Sequence, residues 1–386
     1  MLRAQFDHAI NQVLDFAPGT SDIFFVAKKP LQAEVHGVLK DVPLKPVLGP
    51  LTPFQTEAAA MCIMGANLRL FKDLVERGSC DTSYELFGRA RFRVNIFSQR
   101  GTMSIVMRQL SMDVPTPQKL GLPPIFEEMA KEKFGLILIT GATGSGKSTT
   151  LAALIDSINT QFPVHILTLE DPVEFVHKHK KGTVNQREMG VDFDAFASGL
   201  RAALRQAPKV ILVGEIRDHE TIEIAMQAAE TGHLVLGTLH TSDTGQTINR
   251  IIGMFDSSEE KLVRQRLGES LKFIVSHRLL PKVGGGRVAG LEILRNTMRV
   301  KDIILNGEQG EKNIYNVVEQ GDAYGMRTFD QHIAAMFKDG HVSEESAGIF
   351  GSDKSKLAQM IDRIKSERGE KVTDIGGLEI DGDYGH

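Results

Sequence analysis

The sequence predicts an α/β protein in which a small α+β domain precedes a larger domain with a mainly parallel sheet. Helix and strand patterns mix in the first part, and short apolar strands alternate with helices after residue 125. Between them Pro115, Pro117, Pro123 and Pro124 interrupt any regular element. We therefore predict domains over residues 1–113 and 125–365, a linker over residues 114–124 and a flexible tail over residues 366–386.

The predicted N-terminal domain opens with an amphipathic helix. Apolar residues at helical spacing place it over residues 2–16, and Ala17-Pro18-Gly19 ends it. Residues 89–97 alternate with period two, which predicts a strand with Arg89, Arg91 and Arg93 on one face and apolar side chains on the other. The other predicted elements are strands over residues 23–27, 33–39 and 103–110 and a helix over residues 53–77 that closes at Gly78.

The second domain has four short apolar runs separated by helical patterns, which is typical of βαβ units. The predicted strands cover residues 136–140, 164–169, 210–213 and 234–238. Beyond residue 255 we predict a mostly helical part, with a turn at Gly284-Gly285-Gly286.

Composition excludes several classes of protein. The chain has 386 residues and a net charge of -4, so its overall charge does not favour nucleic acid. Its two cysteines, Cys62 and Cys80, cannot build a four-cysteine zinc site. No apolar stretch of about 18 residues and no signal-peptide pattern occur, so we expect a cytoplasmic protein.

Residues 141–148 match the phosphate-binding loop pattern G-x-x-x-x-G-K-[ST] in full. A predicted strand precedes the loop and a helix over residues 149–158 follows it, as the motif requires. Lys147 is expected to reach the β- and γ-phosphates of ATP, and Ser148 to ligate Mg²⁺. The predicted nucleotide-binding residues are Gly141, Thr143, Gly144, Ser145, Gly146, Lys147, Ser148 and Thr149.

Two acidic groups follow predicted strands. Glu215 ends the apolar run at residues 209–215, where Gly214 stands in place of the aspartate usual in a Walker B strand, and we expect Glu215 to act near Mg²⁺. Residues 170–174 read Glu-Asp-Pro-Val-Glu, and one of these acids could orient or deprotonate the attacking water. The alternative for this segment is a solvated acidic turn.

His233 and His240 flank the predicted strand that begins at residue 234. Thr238 and His240 end that strand on the side where phosphates are expected, which favours a γ-phosphate sensor. A purely structural role for both histidines is the alternative.

These blocks together resemble the secretion-ATPase superfamily. The resemblance is carried by GATGSGKSTT, EDPVEFV, VNQRE, VGEIRD and AETGHLVLGTLHT, and it extends from about residue 88 to residue 345. Within that superfamily the chain is similar to the type IV pilus retraction ATPases, PilT and PilU. It leans towards PilU because the segments at residues 19–25 and 299–305 depart from the PilT pattern and a helical extension follows Phe350.

The resemblance implies an N-terminal PAS-like domain, a RecA-like domain and a homo-hexameric ring. It assigns Glu174 as the catalytic base, Glu215 to Walker B, and His233 and His240 to the His box. It also implies that Arg91 and Arg93 reach nucleotide phosphates and that Arg201 and Arg205, four apart on a predicted helix, are arginine-finger candidates. The implied partners are an inner-membrane platform protein of the PilC type, a PilT-type paralogue and, indirectly, pilin, at the cytoplasmic face of the membrane.

Several alternative functions stay open on the sequence. The chain could be an accessory retraction ATPase that depends on PilT, or a pilus-extension or secretion ATPase, although those commonly carry a four-cysteine zinc motif. It could also be an ATP-binding regulatory subunit with little turnover. A RecA-like nucleic-acid motor is disfavoured by the acidic balance.

Overall fold

The structure, a computed structural model, describes residues 3–46, 49–110 and 113–370. Residue contacts divide the chain into two compact units: Met1–Phe134 with Ser148–Gly237, and Gly135–Lys147 with Thr238–His386. The predicted domain limits are a different division and stay a prediction. The first two residues of the predicted flexible tail, 366 and 367, belong to the last helix, which ends at Glu367. From residue 371 the tail lies outside the described residues.

The N-terminal elements form a six-stranded sheet in the order β3-β2-β1-β6-β5-β4, in which all neighbours are antiparallel. They are α1 (Arg3–Phe16), β1 (Thr20–Phe25), β2 (Gln32–Val35), β3 (Val38–Asp41), α2 (Pro53–Met64), α3 (Leu68–Arg77), β4 (Ser79–Leu86), β5 (Ala90–Gln99), β6 (Thr102–Leu110) and α4 (Ile125–Met129). The predicted linker residues 114–124 contain neither helix nor strand.

The alternation predicted for β5 is confirmed, because Ala90, Phe92, Val94 and Ile96 are buried and the arginine positions are not. This apolar face packs in one core with α1 and α2. β5 therefore presents its arginines on the face opposite to this core.

Two predictions in this part are wrong. The single strand predicted over residues 33–39 is a hairpin, because His36 and Gly37 both adopt positive φ angles, 52° and 78°, as a tight two-residue turn requires. The single helix over residues 53–77 is two helices: α2 ends at Gly65, and the Asn67 side chain caps the start of α3. β4 was not predicted.

The elements that follow are β7 (Gly135–Gly141), α5 (Lys147–Gln161), β8 (His165–Glu170), β9 (Thr183–Glu188), α6 (Phe196–Ala203), β10 (Val210–Val213), α7 (His219–Glu230) and β11 (Leu234–Leu239). β8 pairs in parallel with both β9 and β10, and β10 pairs in parallel with β11. The predicted parallel strands are confirmed, and β9 is an addition to them.

The second unit holds β7, which pairs in parallel with β12 (Leu271–Pro281), and β12 pairs antiparallel with β13 (Arg287–Arg295). The expectation of a mostly helical part beyond residue 255 therefore missed a long hairpin, although its turn lies at the predicted triple glycine. The helices are α8 (Thr244–Ile252), α9 (Glu260–Ser270), α10 (Met298–Asn306), α11 (Ile314–Glu319), α12 (Phe329–Lys338), α13 (Glu344–Phe350) and α14 (Lys354–Glu367). In the described part of the chain, no helix combines the length and apolarity that crossing a membrane requires.

The last three helices pack together in a separate apolar cluster that includes Phe329 and Ile333. Asp330 is fully buried beside it and accepts hydrogen bonds from the backbone N–H groups of Ser352 and Asp353, at 2.7 and 3.1 Å, and from the Tyr315 hydroxyl at 3.1 Å. One carboxylate thus ties the start of α12 to the start of α14.

Asp330→Ala is expected to lower the free energy of unfolding by about 3 kcal/mol, because the buried carboxylate is removed and its three hydrogen bonds are lost. Urea denaturation followed by circular dichroism measures the change. Asp339→Ala, at an exposed position near the end of α12, is the control and should change it by less than about 0.5 kcal/mol. Equal effects of the two substitutions would contradict the proposed tie.

Candidate active site

The carboxyl ends of β8 and β10 lie side by side and place two glutamates at one edge of the sheet. Gly214 follows β10, and its N–H donates to the Leu169 carbonyl at 2.7 Å. A β-carbon on Gly214 would lie 2.8 Å from the same carbonyl oxygen and 3.2 Å from the Cα of Glu170. Glycine therefore replaces the expected Walker B aspartate because the backbone of the neighbouring strand occupies the space of a side chain.

Glu170, at the end of β8, is half-buried. It accepts hydrogen bonds from the Thr168 hydroxyl at 2.6 Å and from the Gln186 amide at 3.0 Å. The pKa of Glu170 is raised to about 7, mainly by burial and also by the neighbouring charge of Glu174, whereas the two hydrogen bonds and the charge of Arg91 oppose the rise. This edge of the sheet therefore holds carboxyl groups that influence one another.

The segment after Glu170 turns through a cis peptide bond at Pro172 and carries Glu174 in a half-buried position. Burial raises the pKa of Asp171, while the positive charges of Arg93 and Arg217 oppose that rise. The acids at residues 170–174 therefore include a hydrogen-bonded carboxyl group at Glu170, and a catalytic role for Glu174 stays a prediction.

Glu215 is held by a neighbour that the sequence analysis did not single out. The Arg217 guanidinium donates to both of its carboxylate oxygens, and the Nη2–Oε2 distance is 2.6 Å. The pKa of Arg217 is raised mainly by this hydrogen bonding. A bidentate pair of this kind fixes the plane of the carboxylate.

The two arginines predicted on β5 have different surroundings. Arg91 is mostly buried and forms an ion pair with Glu188 at 2.7 Å, and it also donates to the Ser83 hydroxyl at 3.2 Å. Arg93 is exposed and acts on Asp171 through its charge. Both arginines thus lie at the acidic edge, and their contact with phosphate stays a prediction.

The two arginine-finger candidates lie on α6 and directly after it. Arg201 lies on α6, is half-exposed and pairs with Glu220. Arg205 lies beyond the end of α6, so the prediction that both arginines share one helix is wrong. The chain leaves the helix at Leu204 in a turn that continues to Gln206.

The two predicted histidines bracket β11, as the sequence indicated. The Nδ1 atom of His233 lies 3.1 Å from the Ala228 carbonyl, and His240 is exposed directly after the strand. A sensor role for either histidine stays a prediction.

In the second unit, the phosphate-binding loop follows β7, with positive φ angles at Gly141, Gly144 and Gly146. The Lys147 ammonium is buried and donates to the carbonyls of Gly141 and Ala142, at 2.8 and 2.9 Å. The lysine is thus folded over the loop, and α5 begins at this residue. A glycine loop followed by a helix N-terminus presents backbone N–H groups and a positive dipole to an anion.

His277 on β12 was missed by the sequence analysis. Both of its buried ring nitrogens lack a hydrogen-bond partner, and the buried Ser145 hydroxyl does too. A β-carbon on Gly141 would lie 2.6 Å from the His277 carbonyl, so only glycine fits there. Burial and the Lys147 charge lower the pKa of His277 to about 3, which keeps the ring neutral beside the loop.

The residues predicted to hold a metal fit magnesium chemistry. Ser148 and Thr149 lie in the first turn of α5, and Ser148 is exposed there. Within residues 3–46, 49–110 and 113–370, no three His, Cys, Asp or Glu side chains form a metal-binding group. A hydroxyl and a single carboxylate suit Mg²⁺, which takes most of its ligands from water and substrate phosphates.

A complete phosphate-binding loop and an edge of interacting carboxyl groups together define a P-loop ATPase. Comparison with known proteins gives the family. The chain belongs to the type II/IV secretion system protein family, which matches residues 82–330.

Three relatives are informative. The chain is 42% identical to the type IV pilus retraction ATPase PilT of Pseudomonas aeruginosa over 88% of this chain and 96% of PilT. It is 38% identical to the type IV pilus ATPase PilU of the same organism, over 89% and 88% respectively. The structure superposes on that of the ADP-bound pilus retraction motor PilT, with a TM-score of 0.81 and 41% sequence identity. The match covers 92% of this chain and 98% of the other.

The comparisons confirm the predicted α/β fold, with an N-terminal domain followed by a secretion-ATPase core, and the PilT/PilU family. The identities to PilT and PilU are close, so they do not decide the predicted leaning towards PilU. The ADP-bound relative supports nucleotide binding by the same fold.

Gly214→Ala is expected to lower ATP turnover at least about tenfold, because the added methyl group must push β10 away from Leu169 and misplace Glu215. Gly348→Ala is the matched control: it makes the same chemical change in α13, where nothing lies within 4 Å of the added carbon. Steady-state turnover at saturating ATP measures both. Unchanged turnover in Gly214→Ala would contradict the close approach of the two strands.

Proposed function

We propose that this protein is the ATP-hydrolysing motor that drives retraction of type IV pili. The observation that carries the proposal is a complete phosphate-binding loop, with Lys147 folded over it, in a chain that matches PilT along nearly the whole length of both proteins. The family likeness further supports a ring of six subunits, which acts on a membrane platform protein of the PilC type at the cytoplasmic face of the membrane.

In the proposed reaction the loop N–H groups and Lys147 bind the β- and γ-phosphates of ATP. Glu174 accepts a proton from a water molecule whose oxygen attacks the γ-phosphorus, and the bond to the ADP oxygen breaks. Arg91, Arg93, Arg201 and Arg205 are the candidates to neutralise the charge that develops on the phosphoryl oxygens.

Ser148 and Glu215 are the proposed holders of Mg²⁺, the latter directly or through water. When bound, this ion neutralises charge on the β- and γ-phosphate oxygens. Arg217 keeps the Glu215 carboxylate in a fixed orientation for that contact. His233 and His240 complete the proposed site as sensors of the γ-phosphate.

Lys147→Ala is expected to reduce ATP hydrolysis by about 100-fold or more, because the loop loses the charge that contacts the transferred phosphoryl group. Lys131→Ala, which removes an exposed lysine outside the loop, should leave turnover unchanged. Turnover per subunit should rise with protein concentration if the site is completed in a ring. Normal hydrolysis by Lys147→Ala would contradict the site.

Glu174→Gln is expected to retain ATP binding and to lose hydrolysis about 100-fold or more, because an amide cannot accept the proton of water. Fluorescent-nucleotide binding and turnover measure the two effects separately. In cells in which this variant is the only retraction ATPase, pili should still assemble but fail to retract. Cells without assembled pili would instead point to an extension ATPase.

A further inference from the structure

Residues 173–177 carry Glu174 away from the cis peptide bond and run beside β9. Val184, Gln186 and Glu188 share one face of β9, because side chains alternate along a strand. The register of β8 and β9 sets Gln186 opposite Thr168 and Glu188 opposite Glu170. Two polar side chains of β9 are therefore directed at the segment that carries Glu174.

The Gln186 amide bonds to three different groups. Its Nε2 atom donates to the Phe175 carbonyl at 2.8 Å and to the Glu170 carboxylate at 3.0 Å. Its Oε1 atom accepts from the His177 backbone N–H at 2.8 Å. Both amide protons thus donate hydrogen bonds, and the side chain holds the backbone of Phe175 and His177, on the C-terminal side of Glu174.

Glu188 provides the anchor on the other side. Its Oε2 atom accepts from the Val173 backbone N–H at 3.2 Å and from Arg91 at 2.7 Å. Glu174 is therefore the residue between two anchored stretches of backbone, one held by Glu188 and one held by Gln186.

We propose that Gln186 is a positioning residue that sets the place of Glu174 through the Phe175 and His177 backbone. This inference rests on the proposed function, in which Glu174 is the general base. A base must lie within hydrogen-bond reach of the proton that it accepts, and a displacement of about 1 Å can cost about 100-fold in rate. Gln186 has no part in binding nucleotide in this account, so its loss should change kcat and spare the affinity for nucleotide.

The test uses Gln186→Met in the full chain, because methionine has a similar length and removes all three hydrogen bonds. We expect kcat to fall about 10- to 100-fold and the KM for ATP and the affinity for fluorescent ADP to change by less than about threefold. The matched control is Asn185→Ala. Asn185 directly precedes Gln186 in β9 and lies on the opposite face of the strand, where its amide nitrogen is 3.0 Å from His165 Nε2. This variant should keep normal turnover.

A double-mutant cycle separates positioning from general damage. In the Glu174→Gln background, Gln186→Met should change the residual turnover by less than about twofold, because there is no base left to misplace. A further fall by the same factor as in the wild type would show that Gln186 acts independently of Glu174 and would overturn the proposal. Normal kcat in Gln186→Met, or a parallel loss of nucleotide affinity, would overturn it too.

Two safeguards keep the outcomes distinct. If Gln186→Met does not fold, Gln186→Leu replaces it: this apolar side chain also makes none of the three hydrogen bonds, so the same fall in kcat is expected. If Glu174→Gln alone has normal turnover, the assignment of the base fails. That result is read from the single variant, before any substitution at position 186 is considered.

Discussion

The parallel pairing of β8 with both β9 and β10 brings the ends of three strands to one edge of the sheet, and the proposed chemistry depends on this alignment. Glu170 ends β8, Glu188 ends β9 and Glu215 follows β10. The close contact of Gly214 with the Leu169 carbonyl keeps two of these ends together. Because a one-residue shift in register turns every side chain of a strand to the other face of the sheet, such a shift would move the carboxyl groups relative to one another.

Charge at this edge is balanced by arginines from different parts of the chain. Arg91 on β5 pairs with Glu188, which also holds the Val173 N–H next to the proposed base. Arg217 orients Glu215. The same guanidinium groups that stabilise closely spaced carboxylates are thus candidates to respond when a phosphate competes for them. An ion pair from the N-terminal sheet thus reaches Glu188, which in turn holds the backbone next to Glu174.

The sequence predicted best what is local. The phosphate-binding loop is eight contiguous residues, and the alternation of β5 is visible because one face is apolar and the other is charged. β9 was missed because its buried face carries Gln186 and Glu188, so no apolar period marks it. The β12–β13 hairpin was missed because long stretches are buried on both faces, which hides the period of two. His277 gave no local signal, since only the pairing of β12 with β7 brings it to Gly141.

The most direct test of the account is an experimental structure of the full chain with Mg²⁺ and a non-hydrolysable ATP analogue. The account predicts that the Lys147 ammonium contacts the terminal phosphates and that an ordered water lies within about 3 Å of the Glu174 carboxylate, in line with the γ-phosphorus. A terminal phosphate bound away from Lys147, or an attacking water held by Glu170 or Glu215 with Glu174 turned away, would contradict it.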